Sequence, residues 1–220
     1  MAIRPFSLIF LALAMIFMLG GCALPDKPSR TTLYDFGSGA QVPASDIRRA
    51  SLSSLRPLAI DDIATSGGAL DNMAVHYRLD YLDAKQLRAY SQARWSMPPA
   101  QLVRQRLREQ LGQRRAVFNA RDGLALNRGP DADMPLLLKL ELLEFSQLFS
   151  SPTASMGLIR MRATLAEITP AGERLLAQRS VLVQRPAPSA DASGGVLALT
   201  AATDAAIEEI EQWLQQAPAR

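Results

Sequence analysis

Residues 136–149 read LLLKLELLEFSQLF, and the fold turns on the period its apolar residues keep. Leu136, Leu138, Leu140 and Leu142 recur every second position, the repeat of a strand that buries one face. The apolar positions then slip by one, to Leu143 and Phe145. A slip of one residue turns every later side chain over unless the backbone absorbs it, so a bulge or strong twist is expected there. Downstream, Ile159, Met161, Ala163 and Leu165 line one face of the next strand, with Arg160 and Arg162 on the other. Thr169-Pro170-Ala171-Gly172 supplies a hairpin turn, and residues 175–184 form the return strand.

Working outward, residues 32–36 (TLYDF) read as a short strand and residues 37–54, rich in Gly, Ser and Ala, as a long loop. A strand is expected over residues 56–63, followed by a Gly67-Gly68 turn. Residues 75–82 (VHYRLDYL) alternate, with Val75, Tyr77, Leu79 and Tyr81 on one face, and residues 86–95 pair back onto them. A helix starts at Pro98-Pro99, where the first N–H groups lack helical partners in any case. Leu102, Val103, Leu107 and Leu111 form its apolar stripe, and Gly112 closes it. Val117-Phe118 is a further short strand and residues 186–195 a second loop. The final helix, residues 196–215, turns Leu199, Ala206, Ile207, Ile210, Trp213 and Leu214 inward. The class is α+β in two layers: a mostly antiparallel sheet with two long helices packed on one face.

The N-terminus carries a different signal. Residues 6–19 are apolar except for Ser7, too short for a membrane span of about 20 residues and suited to the core of a secretory signal. The run ends in Leu19-Gly20-Gly21-Cys22, which resembles the bacterial lipobox, with cleavage between Gly21 and Cys22 and acylation of the Cys22 thiol. Cys22 is the sole cysteine of the 220-residue chain, so no internal disulfide competes for it. An ordinary signal with an incidental cysteine is the plainer alternative. The organisation is then a signal peptide over 1–21, a tether over 22–30 containing Pro25 and Pro28, and one α+β domain over 31–216. In bacterial sorting patterns, Ala23 after the acylated cysteine implies the periplasmic face of the outer membrane.

The remaining chemistry is sparse. A formal charge of +3 with 20% charged residues gives no basic block of the kind nucleic acid requires. His76, the only histidine, falls opposite Val75 and Tyr77 and is expected at the surface, without the partners a triad or zinc site needs. Asp61 and Asp62 are adjacent in a strand and point to opposite faces. No phosphate-binding glycine loop and no nucleophile elbow is present. An enzyme is therefore not expected, nor a metal, nor a cofactor beyond covalent lipid on Cys22.

Arg104 and Arg108, with Arg115 beyond them, border the apolar stripe of the first long helix. They form either a solvated edge or a contact for acidic partner residues or anionic headgroups. Arg94 and Trp95, with Tyr90, form either an aromatic–guanidinium anchor at an interface or a segment whose Trp95 packs under the helix.

Several further blocks stand in a fixed order: the lipobox at Cys22, TLYDFG, HYRL leading to AYSQARWSMPPAQLVRQRLREQL, LKLELLEFSQLFSSPTASMGLIRMRATL and RLLAQRSVLVQRPAPSADASGGVLALTAATDAAIEEIEQWL. Together they resemble the ABC-type transport auxiliary lipoproteins, the PqiC-like family that accompanies MCE lipid-transport components. Their order covers residues 31–215, and residues 41–54 depart from the pattern by being longer and more polar. The resemblance implies a non-enzymatic accessory subunit, lipid-anchored in the outer membrane, whose partner is an MCE-domain protein of an envelope-spanning ABC transporter. A ring-shaped homo-oligomer would suit docking to a tube, although no sequence feature demands one. The alternative is a lipoprotein that assists or plugs an outer-membrane β-barrel of the lipopolysaccharide-export type.

Overall fold

The computed structural model describes residues 30–38, 55–120 and 134–217. Gly21, Cys22, the tether and most of the loop expected over 37–54 lie outside the described residues. The elements set out below all fall within Thr31–Arg220, a unit set off from Met1–Arg30.

The central element is a strand at Leu136–Ser151, with its neighbours at Ala154–Thr169 and Gly172–Pro186. In chain order these are β7, β8 and β9. Before them come β1 (Thr32–Tyr34), β2 (Leu58–Ile60), β3 (Ala64–Thr65), β4 (Ala74–Leu79), α1 (Asp80–Asp83), β5 (Ala84–Trp95), α2 (Pro99–Leu111) and β6 (Val117–Asn119); α3 (Ala192–Gln216) follows them. Sixteen residues of extended chain make β7 about 50 Å long. The expected slip is present as a register shift between Leu142 and Glu144, so Leu136, Leu138, Leu140, Leu142 and Phe145 all enter the core. The turn at 170–171 joins β8 to β9, with Thr169 paired to Gly172.

β7 is paired antiparallel to β8 along almost its whole length. Its other edge is divided among three short strands that all run parallel to it: β2 against 136–138, β3 against 141–142 and β4 against 147–149. β2 carries parallel β6 on its far side, and β5 carries parallel β1. The sheet is therefore mixed, which corrects the mostly antiparallel expectation. Period-two alternation shows which face a strand buries and leaves the direction of its neighbour unspecified. Of the strand expected over 56–63 only β2 forms, leaving Asp61 and Asp62 outside it before β3 begins at Ala64, and β2 is buried on both faces, as Leu58, Ala59 and Ile60 all have zero exposure. β4 ends at Leu79 instead of running to residue 82, because α1 turns the chain there and leaves Tyr81 and Leu82 exposed.

Both long helices share one core with the sheet. Leu102, Val103, Leu107 and Leu111 of α2 and Leu199, Ala206, Ile207, Ile210, Trp213 and Leu214 of α3 are buried in it. Trp95 lies at its centre with no exposed surface, its ring 5.6 Å from those of both Phe36 and Phe145. The helices are tied to each other by a two-pronged ion pair, Arg106 Nε to Asp204 Oδ1 at 2.7 Å and Nη2 to Oδ2 at 3.0 Å, joined by Gln110.

α3 begins four residues before the expected position. Asp191 caps it by accepting from the Gly194 N–H at 2.8 Å, and that bond together with Ser189 holds its carboxyl below the usual carboxylate range. Gly194 and Gly195 look like loop residues in sequence, but here they permit contact. A Cβ on Gly195 would lie 2.1 Å from the Gln147 side chain. Further along, a Cβ on Gly157 of β8 would lie 2.5 Å from the backbone of Ala198 and Leu199. Helix and sheet thus meet backbone to backbone at Gly157.

His76 is buried, which corrects its expected surface position. A register shift between Ala74 and His76 leaves Val75 in the core and His76 on the other side. That side is covered by polar groups: Arg78 grips Glu144 with two bonds of 3.1 Å, and fully buried Ser146 donates to Glu144 at 2.6 Å. The His76 Nδ1 has no hydrogen-bond partner. Burial lowers its pKa from 6.5, opposed by Glu144 and aided by Arg78 and Arg94.

Two outcomes follow. Gly157→Ala should cost about 1–3 kcal/mol in urea unfolding through overpacking, whereas Gly68→Ala, with nothing within 4 Å, should stay within about 0.5 kcal/mol. For His76, the folded state prefers the neutral ring, so the unfolded chain takes up the proton first as pH falls. Stability contributed by the neutral ring is present above about 6.5 and declines below it. Urea midpoints measured at about pH 7 and about pH 5 should therefore differ more for the parent protein than for His76→Gln; equal losses would contradict this origin.

Candidate functional site

The buried stripe of α2 fixes its rotation, and Arg104 and Arg108, one turn apart, emerge on the Leu111 side of that stripe. Across from them, parallel pairing of β2 with β6 sets Asn119 beside Ile60, and the chain leaves β2 through Asp61 and Asp62. The result is a cleft of about 650 Å³ between one side of α2 and the ends of these strands, lined by Asp62, Thr65, Asp71, Arg104, Arg108 and Asn119 among others.

Its electrostatics are uneven. Arg104 Nη1 lies 3.1 Å from Asp62 Oδ1, but that carboxylate is 78% exposed, so the attraction is well screened. Arg104 Nη2 donates to Asn119 Oδ1 at 3.0 Å, and Arg108 Nη1 donates to the same oxygen. Two guanidinium groups thus converge on one neutral acceptor. Two other carboxylates line the cleft: Asp71 accepts from Thr65, and Glu109 accepts from Gln105 at 2.9 Å and lies 3.9 Å from Arg106. Beyond Arg108 an adjoining hollow of about 310 Å³ is bordered by Arg108, Gly112, Arg115, Ala116 and Val117. Arg115 is only 3% exposed, and its Nε and Nη2 have no hydrogen-bond partner. Burial pushes its pKa below the ordinary arginine value, against the attraction of Glu211.

The structure sorts the residues singled out in sequence. Arg104 and Arg108 come together as expected, and Asp62 joins them as an ion-pair partner. Asp61 accepts from the backbone N–H of Asp62 at 2.9 Å, and of the two aspartates Asp62 lines the cleft. Arg115 is buried and does not extend a solvated edge. Trp95 is withdrawn from the surface by its packing against Phe36 and Phe145, and the core reading of that residue holds. Arg94 is half-buried and bonds the carbonyls of Tyr90 and Ala93 on its own strand, so its guanidinium closes locally. Asn119 escaped the sequence reading; its only signal there was its place one residue after the Val117-Phe118 strand. Among the described residues no three His, Cys, Asp or Glu side chains gather into a cation-binding group. What the cleft offers is charge.

Among the described residues no helix is long and apolar enough to cross a membrane. The fold has solved relatives. A crystal structure of a Xanthomonas campestris protein of the DUF330 family aligns with a TM-score of 0.59 at 17% identity, covering 73% of this chain and 86% of that one. Another, of an uncharacterized protein, aligns with a TM-score of 0.54 at 14% identity, covering 85% and 98%. At such identities the likeness is one of fold. No curated protein matches the chain. A family model does match, that of the ABC-type transport auxiliary lipoprotein component, over residues 58–211. Those residues run from the start of β2 to near the end of α3 and take in the cleft and both long helices; the chain belongs to that family.

Proposed function

We propose that this auxiliary lipoprotein is a non-enzymatic docking subunit of an MCE lipid-transport system, held at the periplasmic face of the outer membrane through acylated Cys22. The observation that carries the reading is the family match, which runs from β2 to near the end of α3 and takes in every residue that lines the cleft. The order of the sequence blocks, which resembles the PqiC-like lipoproteins, supports the MCE assignment, and Ala23 supports the outer membrane. The arginine edge supports a docking role: Arg104 and Arg108 are carried one turn apart on one helix, and the acid paired with Arg104, Asp62, is largely exposed. Charge placed in this way steers encounter and fixes orientation more than it adds raw affinity.

Crosslinking in intact cells, followed by purification through a C-terminal tag, should recover an MCE-domain protein. A β-barrel protein in its place would establish the rival reading. Arg104→Glu combined with Arg108→Glu should reduce recovery of the partner about tenfold, equivalent to roughly 1.4 kcal/mol, with an unchanged thermal melt. Full recovery would remove this edge from the interface. Cys22→Ala should release the protein from the membrane fraction, and density-gradient separation of the parent should place it with outer-membrane markers. Co-sedimentation with inner-membrane markers would overturn the address.

A further inference from the structure

Arg104 and Arg115 present more hydrogen-bond donors than their surroundings satisfy, and Arg108 stands between them. Arg104 and Arg108 reach the same Asn119 oxygen, so their donor nitrogens lie at most about 6 Å apart. Among the described residues Arg108 has no carboxylate within ion-pair distance, and the one acid paired with Arg104 is the exposed Asp62. The Arg104 Nε and the Arg115 Nε and Nη2 are buried without acceptors. Buried polar groups are nearly always bonded, and an arginine with two unmet N–H groups is a departure that calls for an acceptor. Arg108 borders both the cleft, with Arg104, and the adjoining hollow just past the end of α2, with Arg115.

We infer that this edge is a binding site for a phosphate-type anion, seated between Arg104 and Arg108 with Arg115 closing it from the hollow. The inference rests on reading the arginine edge as the contact surface of the protein, and it names what that surface takes. A tetrahedral oxyanion suits the arrangement because its several oxygens accept from separate guanidinium forks at once, whereas one planar carboxylate is filled by a single fork. The open cleft leaves space for whatever the phosphate is esterified to. A phospholipid headgroup and free phosphate share this chemistry.

The test uses the full-length protein in detergent micelles, titrated calorimetrically with inorganic phosphate and, separately, with glycerophosphoglycerol, a water-soluble headgroup diester. At least one should bind with a Kd below about 10 mM, and Arg104→Gln and Arg108→Gln should each weaken it about tenfold. Arg185→Gln, which removes an exposed arginine on β9 that bonds its own Gln184 carbonyl, should leave binding unchanged. Arg115→Gln should also weaken binding, and because it can unfold the chain, the two helix variants decide the matter. Tighter binding of the diester supports the site with a headgroup as its source; tighter binding of inorganic phosphate supports it with the free ion. Absence of binding by both probes, or affinities unmoved in Arg104→Gln and Arg108→Gln, overturns the inference. If it is overturned while the double Glu variant still loses its partner, docking stands and the anion does not; if binding holds while partner recovery is unaffected, the reverse follows.

Discussion

A single long strand must satisfy its hydrogen bonds on both sides, and the rest of the domain is arranged around how β7 does so. On one side β8 answers it residue for residue. On the other, the chain returns three times, through β2, β3 and β4, each supplying two or three partners in the parallel sense. Parallel neighbours cannot be joined by a tight turn, so the segments between them have to travel. Those excursions give the domain its β4–β5 hairpin, with β1 on its outer edge, and the α2–β6 unit. The cleft is a by-product of the last excursion: α2 comes back along the sheet, and β6 sets down beside β2, facing the arginine side of the helix.

This division explains what could be read beforehand. Elements with a clear period and a clear stop were legible: the bulged β7, the β8–β9 hairpin, the apolar stripe of α2 and the inward residues of α3. Direction was not, since an alternating strand looks the same whichever way its neighbour runs. The start of α3 was missed because Gly194 and Gly195 resemble loop residues until Ser189 beside the first and the Gln147 side chain beneath the second are known. His76 was misplaced for a related reason. Alternation correctly put it opposite the core, but only tertiary structure supplies the Arg78–Glu144 pair and Ser146 that cover that side.

The site was legible in part. Helical spacing alone places Arg104 and Arg108 together, and that much needs no tertiary information. Asn119 reaches them from a strand more than ten residues away and Asp62 from the segment that follows β2, more than forty residues away, through a pairing that alternation does not announce. Trp95 shows the opposite limit. An aromatic beside an arginine suits an interface anchor and a core residue equally well, and the two rings of Phe36 and Phe145 decide the case. What distinguishes the cleft from an ordinary charged surface is that two guanidinium groups meet on one neutral oxygen, Asn119 Oδ1.

The contact at Gly157 bears on how such a domain can handle hydrophobic cargo. Where α3 crosses β8, main chain lies against main chain, with no room even for a methyl group. An acyl tail therefore cannot thread between helix and sheet at that crossing, as it does in proteins that swallow lipid into a hollow between their layers. For this domain, carriage of lipid through the crossing would require α3 to lift away from the sheet, breaking the packing that forms the core. Cargo that moves while the layers stay closed there has to pass along the outside.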